Sequence, residues 1–93
     1  MIIGILYLDL HLPESDSLKA KRRIIKGLKE RLRGKFNISV SELDQTDKWQ
    51  RTGLGVSLIS NDTTLAHSIL EKVIQEVFVY RGVLLLEASK QFL

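Results

Sequence analysis

From Ile2 to Leu12 the chain alternates, with Ile2, Leu6, Leu8, Leu10 and Leu12 on one side of an extended backbone and Ile3, Ile5, Tyr7, Asp9 and His11 on the other. A strand with an apolar inner face is predicted. Its reverse face begins apolar and turns polar, which raises the expectation that a second subunit covers part of it. Pro13 ends the strand by withholding a backbone donor, and Glu14, Ser15, Asp16 and Ser17 offer side-chain oxygens to the first free N–H groups of a helix. That helix is predicted from about Ser17, with Leu18, Ile25, Leu28 and Leu32 sharing one face and Gly34 as its left-handed stop. Gly27 in its interior implies a close neighbour, because glycine costs a helix about 1 kcal/mol relative to alanine.

The two-residue period returns from Lys35 to Asp44, with Phe36, Ile38, Val40 and then Glu42 on the inner side. After a polar connection containing Trp49, a third strand runs from Thr52 to Ser60. Its inner side carries Leu54, Val56 and Leu58, backed by Gly53, Gly55 and Ser57, which predicts a low, bare outer face. Asn61 to Thr64 starts a second helix, whose stripe of Ala66, Ile69, Leu70, Val73, Val77 and Tyr80 continues until Gly82. Phe78 and Val79 fall outside that stripe, and a last aliphatic strand from Val83 to Ser89 leaves a short tail. Strand, helix, strand, strand, helix, strand selects a ferredoxin-like α+β domain: a four-stranded antiparallel sheet, order 4-1-3-2, with both helices on one face.

Ninety-three residues suit one such domain over 1–93. The chain has no cysteine, and its apolar start is broken by Asp9 and His11 well short of membrane-spanning length, so a cytoplasmic protein with no membrane partner is expected. Net charge is only +3, but nine of the 14 basic residues lie between Ser15 and Lys35, against two acids, Asp16 and Glu30. Lys19, Arg22, Lys26, Lys29 and Arg33 form a stripe beside the helix's apolar face, spaced as phosphate contacts.

The topology gathers a polar rim: Asp9, His11, Lys21, Glu42, Trp49 and Arg51, with Asp44 and Asp47 in the connection. Lys21 falls in the middle of the helix's apolar stripe and Glu42 points inward at the same rim, so the two are expected to form a partly buried ion pair. No residues have the spacing of a metal site, and Gly53-Leu54-Gly55 lies inside a strand rather than ahead of a helix, so it is not a phosphate loop. Asp9 with His11, or Glu42 with Asp44, comes with no evident nucleophile. No catalytic residue, cofactor or metal is therefore expected. The stacking aromatics that let ferredoxin-like sheets bind RNA are missing, Tyr7 excepted, so any RNA contact is expected on the helix side or at Trp49 and Arg51.

Asp9-Leu10-His11-Leu12-Pro13, Ser17-Leu18-Lys19-Ala20-Lys21-Arg22, Phe36-Asn37-Ile38-Ser39-Val40-Ser41-Glu42 and Asp47-Lys48-Trp49-Gln50-Arg51 together resemble the small bacterial YlxP-like family. The resemblance implies a ferredoxin-like domain over nearly the whole chain and supplies no catalytic residues. Members are often encoded among translation and ribosome-maturation genes, which implies ribosomal RNA or a ribosomal particle as partner. The expectation is a non-enzymatic, RNA- or ribosome-associated binding module. A homo-oligomer pairing through Ile3, Ile5 and Tyr7 is the alternative.

Overall fold

In the computed structural model, which describes residues 1–43 and 48–93, the elements are β1 (Ile2–His11), α1 (Leu18–Lys35), β2 (Ser39–Glu42), β3 (Arg51–Ser60), α2 (Thr63–Phe78) and β4 (Leu84–Phe92). The strands form one sheet in the order β2-β3-β1-β4, each neighbouring pair antiparallel. That is the expected 4-1-3-2 order of the βαββαβ ferredoxin-like fold. Leu6, Leu8 and Leu10 from β1, with Leu54, Val56 and Leu58 from β3, turn their side chains toward the helices and are buried. Ile25, Leu28 and Leu32 of α1 and Ala66, Leu70, Val73 and Val77 of α2 close over them. Both helices begin on a side-chain cap: Ser17 accepts from the Ala20 N–H, and Asp62 accepts from those of Thr64 and Leu65.

The structure corrects several boundaries. Gly34 is not the left-handed stop, since Gly82 is the sole residue with positive φ among the described residues and α1 runs on to Lys35. The helix ends where Phe36 takes an extended conformation (φ −132°, ψ 147°), which lets its ring pack against the core. Residues 36–38 then turn tightly, with the Ile38 N–H donating to the Phe36 carbonyl, so β2 is only the four residues from Ser39 to Glu42 rather than a strand from Lys35. Helix α2 ends at Phe78, before Gly82, whose φ of +92° instead makes the turn into β4. Tyr80 lies beyond the helix, and a Cβ on Gly27 would fall 2.8 Å from its hydroxyl, which is the close neighbour that glycine implied.

Two further differences concern the sheet's outer side and its last strand. The glycines of β3 are not bare: a Cβ on Gly53 would lie 2.8 Å from the Tyr7 hydroxyl, and one on Gly55 would lie 2.9 Å from Leu43 Cδ1. The side chains of Tyr7 and Leu43 have folded over the space. Strand β4 continues past Ser89 to Phe92, because Lys90 on its inner side is paired with Glu71 of α2 and the Phe92 ring stacks on His67 at 5.7 Å. Near its start, Asp9 faces Glu87 while Leu10 faces Leu85, so Leu86 is an extra residue bulged out of the β1 pairing.

Gly34 and Gly82 provide a direct check on the chain path. Gly34 is helical with open space around its Cβ position, so Gly34→Ala is expected to stabilise the protein by a few tenths to about 1 kcal/mol. Gly82→Ala is expected to destabilise it by about 1 kcal/mol or more, because alanine resists the positive φ. Urea unfolding of the two variants distinguishes these signs.

Candidate functional site

The rim is built in two layers, set by the alternation of the strands. Glu42 and Thr52 share the side of Val40 and Leu54, facing α1, whereas Asp9 and His11 share the outer side with Tyr7, and Arg51 pairs across from His11. In the inner layer Lys21 is 4% exposed, its side chain having crossed the apolar face of α1. Its Nζ donates to the Lys48 carbonyl at 3.0 Å and lies 3.8 Å from Glu42 Oε2. The same Glu42 oxygen accepts from the Thr52 hydroxyl, a group with no exposure of its own. The expected partly buried pair is present, held in a chain of three side chains and one carbonyl.

In the outer layer the Arg51 guanidinium donates to both Asp9 oxygens, at 3.2 and 2.9 Å. Those bonds, and next the opposing charge, hold the Asp9 carboxyl below its ordinary pKa despite some desolvation. Gln50 organises the rest. Its carbonyl accepts from His11 Nδ1 at 3.0 Å and from the Leu12 N–H at 2.9 Å, while its Nε2 donates to the carbonyls of Pro13 and Ser15 at 3.2 and 3.3 Å. Sequence reasoning passed over Gln50 as part of a polar connection, and nothing in its spacing marks it. The segment from Lys48 to Arg51 is thereby stitched to the entrance of α1. Its Trp49 indole stands 53% exposed beside an open cavity of about 530 Å³ lined by His11, Lys48, Trp49, Gln50 and Arg51. Asp44 and Asp47, also expected at this rim, lie outside the described residues.

The cations of α1 separate into three groups. Arg31 and Lys35 donate to Glu76 of α2 at 2.7 and 2.9 Å, and these bonds, that from Lys35 first, keep the Glu76 carboxyl below its usual pKa. Arg33, expected among the phosphate contacts, is exposed and donates through one nitrogen to the Val40 carbonyl of β2 at 2.8 Å. That bond closes the angle between α1 and the edge strand. The remaining expected contacts are Lys19, Arg22 and Lys26, all exposed, and Lys29, which is half-buried. Among the described residues none of these four has a carboxylate within ion-pair distance. Arg23, exposed on the same flank, extends the set and was missed because its wheel position lies at the stripe's margin.

A second polar cluster sits at the other end of the sheet, where none was expected. Lys90 reaches Glu71 and lies 3.3 Å from His67 Nε2, and the Lys90 bond holds the Glu71 carboxyl low. The i, i+4 spacing of His67 and Glu71 was its only trace in the sequence. Among the described residues no group of acids and histidines is placed to hold a metal ion, and no helix is long and apolar enough to cross a membrane.

Fold and rim together define a small ferredoxin-like α+β protein with a helix whose outer flank is basic. The chain belongs to the family described as "Protein of unknown function (DUF503)", which it matches over residues 3–89. It is similar to the Uncharacterized protein YlxP of Bacillus subtilis (strain 168), at 33% identity over 73 residues that span 78% of this chain and 79% of the relative. Among solved structures it is similar to the de novo designed protein Foldit4, with a TM-score of 0.56 at 12% identity, covering 100% of this chain and 97% of that one. The de novo designed protein LFR1 1, with ferredoxin fold, also gives a TM-score of 0.56 at 12% identity, covering 100% of this chain and 84% of its own. At such identity the likeness speaks to the fold alone.

The inner layer of the rim makes an asymmetric prediction. Glu42→Gln leaves the buried Lys21 ammonium with neutral oxygens and no opposing charge and is expected to cost about 1–3 kcal/mol. Lys21→Met keeps the apolar stem and leaves a carboxylate, 28% exposed, that has the Thr52 hydroxyl and a route to water, so its cost is expected below about 1 kcal/mol. Equal losses in equilibrium unfolding would contradict this arrangement.

Proposed function

We propose that the protein is a non-enzymatic RNA-binding module, with ribosomal RNA or a ribosomal particle as its natural partner, that contacts phosphates through the free flank of α1. The observation that carries this reading is the set Lys19, Arg22, Lys26 and Lys29, joined by Arg23, which stands along one side of the helix without carboxylate partners among the described residues. Their position supports it further. Lys19 stands in the first turn of α1, which holds no acid and where the helix dipole already presents its positive end. A cation there opposes the dipole by a few tenths of a kcal/mol up to about 1 kcal/mol, a cost that an anionic partner would offset. From Lys19 to Lys29 the flank runs about 15 Å, enough to follow several successive phosphates.

Binding along such a flank is electrostatic, so it should weaken steeply with salt. On single-stranded RNA each neutralised phosphate contributes about −0.7 to the slope of log K against log salt, and four to five contacts give a slope of about −3. Replacing Lys19, Arg22, Lys26 and Lys29 together by Glu is expected to abolish that binding, while Arg33→Ala, which removes a group occupied by β2, is expected to leave the slope nearly unchanged. Fluorescence anisotropy of labelled RNA across a salt series measures both. Equal, salt-insensitive binding by all three proteins counts against the reading.

A second reading is favoured by the outer face of the sheet. No described element covers it, and Ile59, Leu43 and Leu86 are 71, 54 and 50% exposed there. Pairing of two copies through this face is expected to appear as a dimer in sedimentation analysis and to be lost on Ile59→Asp. A chain that stays monomeric at high concentration removes it.

A further inference from the structure

The rim holds an aromatic group that the phosphate-binding reading leaves unused. We propose that the cavity beside Trp49 takes an unpaired nucleobase of single-stranded RNA, stacked on the indole, with the strand continuing from there onto the cationic flank of α1. This rests on the RNA-binding reading and adds to it the kind of RNA and a second point of contact.

Trp49 is the only tryptophan in the chain, and it projects from the rim rather than packing into the core. Both of its neighbours are tied down. The Lys48 carbonyl is held by Lys21 Nζ at 3.0 Å, and Gln50 is held by His11, Leu12, Pro13 and Ser15. Backbone held on both sides of Trp49 sets where the indole emerges from the rim, which lowers the ordering cost of stacking. The adjoining space, about 530 Å³, lies wide open to solvent, which suits a flat base laid against the indole rather than an enclosed small ligand. Of its other lining groups, Lys48 carries an ammonium at the edge of the cavity, while His11, Gln50 and Arg51 are engaged with the Gln50 carbonyl, the Pro13 and Ser15 carbonyls and Asp9 and form its polar wall.

The position relative to α1 is set by Lys21. Its ammonium joins the first turn of the helix to Lys48, and Lys19 and Arg22 stand exposed on the other side of that turn. A strand leaving a base on Trp49 would round the start of α1 to reach the exposed cations of its flank. The base must be unpaired, since the indole needs an open π-face that a duplex keeps within its own stack. Aromatic stacking of this kind tolerates any base, so the site selects single strands over duplexes rather than one sequence over another.

Trp49 also provides the test, because at excitation wavelengths that the two tyrosines do not absorb the emission of the protein comes from this one indole. A short labelled oligoadenylate, a duplex of equal length and free AMP are titrated against the full chain, with tryptophan emission and oligonucleotide anisotropy read together. The oligoadenylate is expected to quench the emission as the anisotropy rises, and the duplex to bind without quenching. Trp49→Ala is expected to weaken single-strand binding about tenfold or more while leaving duplex binding and the salt slope as they were, and Trp49→Phe to retain part of the difference. Binding without quenching, or unchanged affinity in Trp49→Ala, overturns the stacking site and leaves the phosphate-binding flank standing. Free AMP that quenches as tightly as the oligomer also overturns it, by showing a nucleotide site rather than a strand path. No anisotropy change with either RNA at low salt removes the RNA reading and this proposal with it.

Discussion

One ammonium group, on Lys21, settles how the basic helix meets the sheet. An amphipathic helix this rich in lysine and arginine has to turn some residue of every turn toward the core, and here the inward position at the rim is a cation. It is accommodated because β2 ends on Glu42, β3 begins near Thr52, and a carbonyl of the following segment completes the donor's surroundings. Leu10 and Leu12 beside it are fully buried, so the ammonium lies at the boundary of an apolar core rather than in solvent. The arrangement fixes the helix start, the edge strand and the Lys48 to Arg51 segment relative to one another. It adds to the ties that Gln50 makes between the same segment and the entrance of α1.

The other cations of α1 divide by direction. Those on the α2 side are consumed by Glu76, and the one nearest the edge strand is consumed by Val40. What remains lies on the flank away from α2, toward the N-terminal half. The uneven placement of unpaired cations along α1 is something that net charge alone conceals.

Much of the fold was readable from the sequence because one rule governs it: alternate residues of β1 and β3, and the i, i+3, i+4 residues of the helices, had to bury together. The element order then left little choice of topology. Errors fell where a side chain's partner is distant in sequence. Gly34 looked like a helix stop until Phe36 proved to be the residue that leaves the helix; Lys90 looked like part of a tail because Glu71 and His67 lie on another element. The site was legible to the same extent. Lys21 and Glu42 could be matched because both broke an apolar pattern, whereas Arg33 kept its place in a regular stripe and gave no sign that a backbone carbonyl would claim it. Gln50 broke no pattern at all, and its four contacts emerge only from the path of the chain.

The edge strands carry a consequence for how this molecule can meet copies of itself. An open sheet margin is a template on which another chain can lay down a further strand, the route by which many β-rich proteins clump or exchange segments. Here β2 offers four residues and has one carbonyl already occupied by Arg33, and β4 is dislocated at Leu86. Neither margin presents a long, straight row of vacant donors and acceptors. Growth of the sheet from molecule to molecule is therefore discouraged at both sides.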